Sequence, residues 1–276
     1  MRSPVALVLT AALALGGGAA VPAQAAAPTR DHAPVARVAS GGRVLAISVD
    51  GLNPAALRRL GTARTPVLHR LVAEGAATLN ARSSRELTIT LPNHTTMVTG
   101  RRIDRATGGH GVTWNDDLRS RTVHSAAGRQ ISSVFNVVAR GGGESAVLAG
   151  KTKFGLFQRS WPAAVDRSTI DADALVLVKA ARAELLHGDR ELVFLHLALP
   201  DVAGHANGFM SPSYLDAVAR TDRLLGRLVR TVDAHPELAE DLTVVLTADH
   251  GGKGANHSDH LRPANYRIPF IVWGPA

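Results

Sequence analysis

Three stretches of this chain are apolar almost without interruption: RVLAISV at 43–49, ELVFLHLAL at 191–199 and LTVVLT at 242–247. They are rich in Val, Leu and Ile and lack the strict polar alternation of a half-exposed strand. Such runs read as strands of a mainly parallel sheet, buried on both faces. A sheet of that kind must be covered by helices on each side, which confines the chain to the α/β class. Each run also delivers an aspartate at its carboxyl end: Asp50, Asp201 and Asp249. Open α/β sheets place their chemistry at that edge.

The segments between these strands carry helix and loop signals. Helices are expected from about Pro54 to Leu60 and from Pro66 to about Glu74, the second stopped by Gly75. Within ELTITLPNHTTMVTG (86–100), a short extended piece gives way to a helix that starts near Thr90–Asn93 and runs to Val98. Thr90 falls at or near the N-cap, where a hydroxyl is favoured on structural grounds alone. The same position suits an oxygen working beside a phosphoryl group, because helix N-terminal amides stabilise anions. The polar loop at 101–117 turns at Gly108–Gly111 and offers Asn115 as an amide donor to an oxyanion. Further helices are expected over Ile131–Arg140, Asp171–His187 and Pro212–His235. Short strands are expected over Ser145–Ala149, which leads to Lys151 and Lys153, and over Arg267–Trp273.

Histidines accompany the strand-end aspartates. His205 lies four residues after Asp201, His250 adjoins Asp249, and His257 and His260 follow in a Gly-rich loop. Three carboxylates and three imidazoles are too many for one tetrahedral ion. They suit two divalent ions about 4 Å apart, the arrangement used for in-line phosphoryl displacement. This donor set favours Zn²⁺, with Mn²⁺ or Fe as alternatives.

Composition narrows the partners. The 276 residues carry 31 basic and 23 acidic side chains, a net charge of +8, and only four of the basic residues are Lys. The arginines are dispersed, and no basic run is interleaved with aromatics. That argues against specific nucleic-acid binding and leaves attraction of a small anionic substrate. The absence of Cys excludes disulfides, thiolate zinc sites, a Cys nucleophile and a lipoprotein anchor. Residues 1–25 read as a secretory signal, with Arg2, the apolar stretch Val5–Leu15, a Gly16–Gly18 break and Ala23-Gln24-Ala25 as cleavage site. The apolar stretch is too short to span a membrane comfortably. A secreted protein without a stable membrane anchor is therefore expected, with a flexible segment over 26–42 and a catalytic domain over 43–276.

Taken together, SVDGL (48–52), TLPNHTTMVTG (90–100), GHGVTWN (109–115), LPDVAGH (199–205) and ADHG (248–251) resemble the alkaline phosphatase superfamily. The similarity is to its nucleotide pyrophosphatase/type I phosphodiesterase branch, from about residue 43 to the end. The resemblance implies a three-layer sandwich with the active site at the carboxyl edge of a mainly parallel sheet. It implies one metal held by Asp50, Asp249 and His250, with Thr90 as the nucleophile bound to it. A second metal would be held by Asp201, His205 and His257. His257 is chosen over His260 because its distance from Gly274-Pro275 fits the register of that branch. Asn115 and the Leu91 amide would hold the substrate's non-bridging oxygens, and Lys151 and Lys153 would add cationic contacts. His94 matches a frequent residue of the nucleophile helix.

Two departures from that pattern matter. The loop from Gly251 to His257 leaves no room for a capping insertion, which predicts an open site. The chain also stops just after the last strand, which suggests a truncated C-terminus. The activity expected is a secreted two-metal phosphoester hydrolase, with diester or pyrophosphate substrates first and a phosphothreonine intermediate. The alternatives are a phosphomonoesterase that uses Lys151 and Lys153, and an inactive metal-binding secreted module. Sulfatase chemistry is disfavoured, since the nucleophile segment lacks a Cys/Ser-x-Pro-x-Arg pattern.

Overall fold

A computed structural model describes residues 42–188 and 190–274. The signal segment, all of the entry segment but Gly42, and Pro275 lie outside the described residues. Seven strands form one sheet: β1 (Arg43–Val49), β2 (Ala76–Arg82), β3 (Ser145–Ala149), β4 (Arg167–Ile170), β5 (Leu192–Leu197), β6 (Leu242–Thr247) and β7 (Arg267–Trp273). Their order is β2-β7-β6-β1-β5-β3-β4. The five strands from β6 to β4 are mutually parallel, and β7 runs antiparallel to both β6 and β2.

The helices in chain order are α1 (Pro54–Arg64), α2 (Pro66–Glu74), α3 (Thr90–Thr99), α4 (Val123–Ala127), α5 (Val134–Arg140) and α6 (Gly155–Ser160). They continue with α7 (Ala174–His187), α8 (Leu199–Asn207), α9 (Pro212–Asp233), α10 (Pro236–Asp241) and α11 (Pro263–Tyr266). Side chains alternate across a strand, so each central strand feeds two cores. Leu45, Ile47 and Val49 of β1 and Val193, Leu195 and Leu197 of β5 pack with Leu57, Leu68, Leu177 and Leu225 of α1, α2, α7 and α9. On the other face, Phe194 of β5 and Val147 of β3 pack with Leu91, Phe135 and Phe157 of α3, α5 and α6. The sheet therefore has helices on both faces, as its apolar runs demand.

Several element boundaries differ from the sequence reading. The 191–199 run ends as a strand at Leu197, because Leu199-Pro200 opens α8. Asp201 thus stands in the first turn of a helix rather than in a strand-end loop, with His205 one turn on. The α3 N-cap is Ile89, which makes no side-chain cap hydrogen bond, and Thr90 is the first helical residue. α1 continues past Leu60 to Arg64 through a kink at Gly61. α5 begins at Val134 rather than Ile131, and α7 at Ala174, capped by Asp173 rather than starting at Asp171. β2 and β4 carry no apolar run because they are the sheet's edges and are largely exposed.

One buried tyrosine ties the long helix to the functional edge. The Tyr214 hydroxyl of α9 donates to the Gly51 carbonyl at 2.8 Å and accepts the Asn53 amide at 2.9 Å. Both groups belong to the turn that leaves β1. Replacing Tyr214 with Phe strands a buried amide and a buried carbonyl, which costs about 1–3 kcal/mol. Urea unfolding of Tyr214→Phe should show a lower midpoint with an unchanged slope; an unchanged midpoint would refute the tie.

Candidate active site

Four strands end at the same edge and deliver Asp50 after β1, Lys151 after β3, Asp201 after β5 and Asp249 after β6. The turn after β1 is possible because residue 51 is glycine. Its φ is +71°, and a Cβ there would lie 3.1 Å from the Asp201 backbone and from the Phe209 ring. The Gly51 amide donates to Asp249 Oδ1 at 3.1 Å. Asp50 and Asp249 are thereby packed together, both fully buried.

Two groups of potential ligands result: Asp50, Asp249 and His250, and Asp201, His205 and His257. Within each group the nearest donor atoms lie within 4.8 Å of one another. The histidine tautomers are set by the backbone. His250 Nδ1 donates to the Gly251 carbonyl at 2.8 Å, and His257 Nδ1 donates to the Thr88 carbonyl. Each Nε2 therefore presents a lone pair. His250 Nε2 faces Asp249 Oδ2 at 3.1 Å and Asp50 Oδ1 at 3.4 Å. His257 Nε2 lies 3.0 Å from His205 Nε2 and 3.6 Å from Asp201 Oδ1. The His250 and His257 rings stack, with centroids 3.6 Å apart.

Asp50 Oδ1, Asp201 Oδ1, Asp249 Oδ2 and His250 Nε2 are buried and have no hydrogen-bond partner. Ligand atoms that converge without hydrogen-bond donors from the surrounding described residues fit a divalent cation, and carboxylate with neutral imidazole is a donor set that zinc accepts. Both groups of residues therefore fit the metals implied for them.

The protein supplies one cation of its own. Lys151 Nζ lies 2.6 Å from Asp50 Oδ2, 2.6 Å from Asp201 Oδ2 and 3.5 Å from Thr90 Oγ1. It is no solvated lysine: its side chain is 16% exposed. Burial disfavours its charge, but Asp50 and Asp201 outweigh that and raise its pKa above the ordinary lysine range. Burial also works against the Asp50 charge, yet Lys151 and the His196 hydrogen bond hold Asp50 well below the usual carboxylate range. Asp249 goes the other way, raised by burial and then by the neighbouring Asp50 carboxylate. Burial, with His250 beside it, lowers His257 to about 3. Lys153 is half-buried, and burial followed by Lys151 lowers its pKa.

Thr90 is buried at the first position of α3. The Leu91 amide does not point free for a substrate oxygen; it donates to Asn115 Oδ1 at 3.0 Å. That bond orients Asn115 so that its NH₂ is the group left to donate. His260 is exposed and outside both ligand groups. His94 is fully buried and bonded to the Thr90 carbonyl and the Ser48 hydroxyl.

The sequence reading missed two contributors. His196 was visible only as a polar residue inside an apolar strand run. Phe209 packs against His205 and His257, with ring centroids at 5.5 and 5.7 Å. A Cβ on Gly204 or Gly252 would overlap the Phe209 ring. Nothing in the local sequence pairs this phenylalanine with those glycines.

This constellation can be set beside known proteins. Residues 44–266 match the profile of the type I phosphodiesterase/nucleotide pyrophosphatase family. The chain belongs to that family. Family members fall within the alkaline phosphatase superfamily, and the matched span runs from β1 to α11.

Murine ectonucleotide pyrophosphatase/phosphodiesterase 5, in an inactive threonine-to-alanine form in complex with AMP, superposes with a TM-score of 0.61 and 22% identity. The superposition covers 76% of this chain and 57% of that one. The human counterpart gives 0.55 and 21%, with the same coverage. These likenesses establish the fold. Among curated sequences, GPI ethanolamine phosphate transferase 1 of Yarrowia lipolytica is 37% identical over 90 residues, 32% of this chain and 10% of the transferase. The 2,3-bisphosphoglycerate-independent phosphoglycerate mutase of Staphylococcus aureus is 32% identical over 93 residues, 17% of that enzyme. The matched parts are thus small fractions of these relatives. No helix among the described residues is long and apolar enough to cross a membrane.

The loop that carries Asn115 is anchored by His110, which is fully buried. Its Nε2 bonds Thr96 Oγ1 at 3.0 Å, and its Nδ1 accepts the Val112 amide at 3.1 Å. Burial lowers its pKa to about 4, against the pull of Glu86. Between the ordinary value near 6.5 and about 4, the unfolded chain binds a proton at this position that the folded chain refuses. Stability contributed here is therefore full above the upper limit and falls as the pH drops through the window. His110→Gln should flatten the pH dependence of unfolding free energy by up to about 1.4 kcal/mol per pH unit over that range. Equal slopes for the two proteins would contradict this placement.

Proposed function

We propose that this chain is an exported metal-dependent phosphoester hydrolase that acts first on diesters or pyrophosphates through a phosphothreonine at Thr90. The observation that carries the reading is the convergence of four unpartnered ligand atoms on Asp50, Asp201, Asp249 and His250, with Thr90 Oγ1 at the same sheet edge. The family membership supports hydrolysis of phosphoesters. The inactive form of the murine neighbour is a threonine-to-alanine variant held with AMP, which favours a threonine in the same role and a nucleotide-type phosphoester as substrate.

Asp50, Asp249, His250 and Thr90 would hold one ion, and Asp201, His205 and His257 the other. Bound there, two divalent ions would lower the pKa of a coordinated oxygen and neutralise charge on the transferring group and the departing oxygen. The chain's own residues account for the rest. Thr90 Oγ forms the new bond to phosphorus as the bond to the leaving oxygen breaks, and the net transfer moves the threonine proton to the departing alcohol of a diester or the departing phosphate of a pyrophosphate. The Asn115 NH₂, oriented by the Leu91 amide, donates to a non-bridging oxygen. Lys151, ion-paired with Asp50 and Asp201, fixes the spacing of the two ligand groups and adds positive charge beside Thr90. Water then cleaves the phosphothreonine and restores the hydroxyl. The N-terminal signal read in the sequence would carry the chain to the cell exterior.

A second reading, monoester hydrolysis, has one observation in its favour. Lys151 is within 3.5 Å of Thr90 Oγ1, and the half-buried Lys153, its pKa lowered by burial and then by Lys151, is a second cation nearby. A dianion rewards that paired charge more than a monoanion does. Purified protein with Zn²⁺ should turn over bis-p-nitrophenyl phosphate faster than p-nitrophenyl phosphate. Thr90→Ala should lose at least about a hundredfold in kcat, the scale of an essential covalent step. Full turnover by Thr90→Ala would sink the mechanism. Lys153→Ala should lower the monoester-to-diester ratio; an unchanged ratio removes the case for monoesters.

A further inference from the structure

His196 is a fully buried imidazole that the chemistry above leaves without a role. It sits in β5, where every other side chain is apolar and buried. Both of its nitrogens are committed. Nδ1 lies 3.1 Å from the Gly150 backbone amide. An amide N–H only donates, so Nδ1 accepts and the ring proton is on Nε2. Nε2 lies 2.8 Å from Asp50 Oδ2. The ring cannot easily turn: Phe154 packs on it at a centroid distance of 4.2 Å and His94 meets it edge-on at 5.0 Å.

The consequence appears at Asp50. Oδ2 receives His196 and Lys151, while Oδ1 receives no donor and faces His250 Nε2 at 3.4 Å. The carboxylate is thus held by one oxygen and presents the other. Register explains why β5 supplies the donor. Its residue 196 pairs with Ser48 of β1, two positions before Asp50, and β3 ends beside it at Ala149, so that Gly150 sets the tautomer.

We infer that His196 is a positioning residue. Its Nε2–H locks the Asp50 carboxylate so that Oδ1, with Asp249 and His250, forms the first cation-binding face, and the Gly150 amide enforces the tautomer that permits this. The inference rests on the proposed metal-binding reading of Asp50, Asp249 and His250. It differs from a core-filling role in one respect: only the donor at the Nε2 end matters for cation affinity.

Two variants separate these roles. His196→Asn places an amide near the Nδ1 end, where it can still accept from Gly150 but cannot reach Asp50. His196→Gln places its donor near the Nε2 end. Zinc titration of metal-stripped protein by calorimetry reads both binding events, and thermal unfolding of the same metal-free samples reads the fold. The wild type should bind two ions. His196→Asn should weaken one of them by about 10–100-fold and leave the other unchanged, and His196→Gln should restore most of the loss. If His196→Asn binds both ions as the wild type does, the inference is overturned. It is equally overturned if both variants weaken the two sites alike and their metal-free unfolding temperatures fall in parallel, since the role is then structural. A wild type that binds no zinc would overturn the metal reading itself, an outcome distinct from failure at His196 alone.

Discussion

Three aspartates buried at one edge of a sheet are the constraint on which this structure turns. Asp50 and Asp249 offer donor atoms within 4.8 Å of each other. Two like unit charges ~4 Å apart repel by about 4 kcal/mol at an effective dielectric constant of 20. Water cannot relieve this, because Asp50, Asp201 and Asp249 are almost completely buried. Relief must come from cations or protons. The fold supplies one cation, Lys151, which spans Asp50 and Asp201. The opposed shifts of Asp50 and Asp249 follow from the same imbalance: the first keeps its charge through Lys151 and His196, and the second is driven towards its protonated form. The four unpartnered atoms are what remains for added cations to satisfy.

The rest of the architecture serves to hold these groups where they are unfavourable. Parallel strands with covered faces give rigid ends, and the charged residues are borne just beyond them. Where the chain must turn beneath the site, glycine at 51 lets Asp201 and Phe209 approach. Phe209 then braces His205 and His257, and Tyr214 fastens the β1 turn to the long helix. Backbone carbonyls of Thr88 and Gly251 fix the histidine tautomers. The edge proposed to bind cations is thus pre-organised by uncharged contacts, which would not compete with ligands for the free lone pairs.

Much of this was legible in the sequence because the apolar runs are long and each releases a charged residue. Asp50, Asp201, Asp249 and His250 could be named from strand ends and spacing, while His257 was separated from His260 only through the family resemblance; the structure brings all five together. What remained hidden depends on contacts between distant segments. β2 and β4 are edge strands with no apolar run to announce them. α8 was hidden because Leu199-Pro200 extends the apolar run of β5 while starting a helix. His196 looked like a blemish in a core strand until Gly150 and Asp50 were seen on either side of its ring. Lys151 read as a cationic substrate contact at the sheet edge, and its burial between two aspartates comes from the parallel register of β3, β5 and β1. The Leu91 amide, expected to face a phosphoryl oxygen, is engaged because the loop carrying Asn115 folds back over α3.

The central claim is that this edge forms two cation sites built around shared burial, with Thr90 serving the first. Anomalous diffraction from crystals of the zinc-loaded protein tests it most directly. The account predicts two peaks per chain, one bonded to Asp50, Asp249 and His250 with Thr90 Oγ1 in reach, the other bonded to Asp201, His205 and His257. A single peak, or zinc bound only at exposed histidines such as His260, would contradict it.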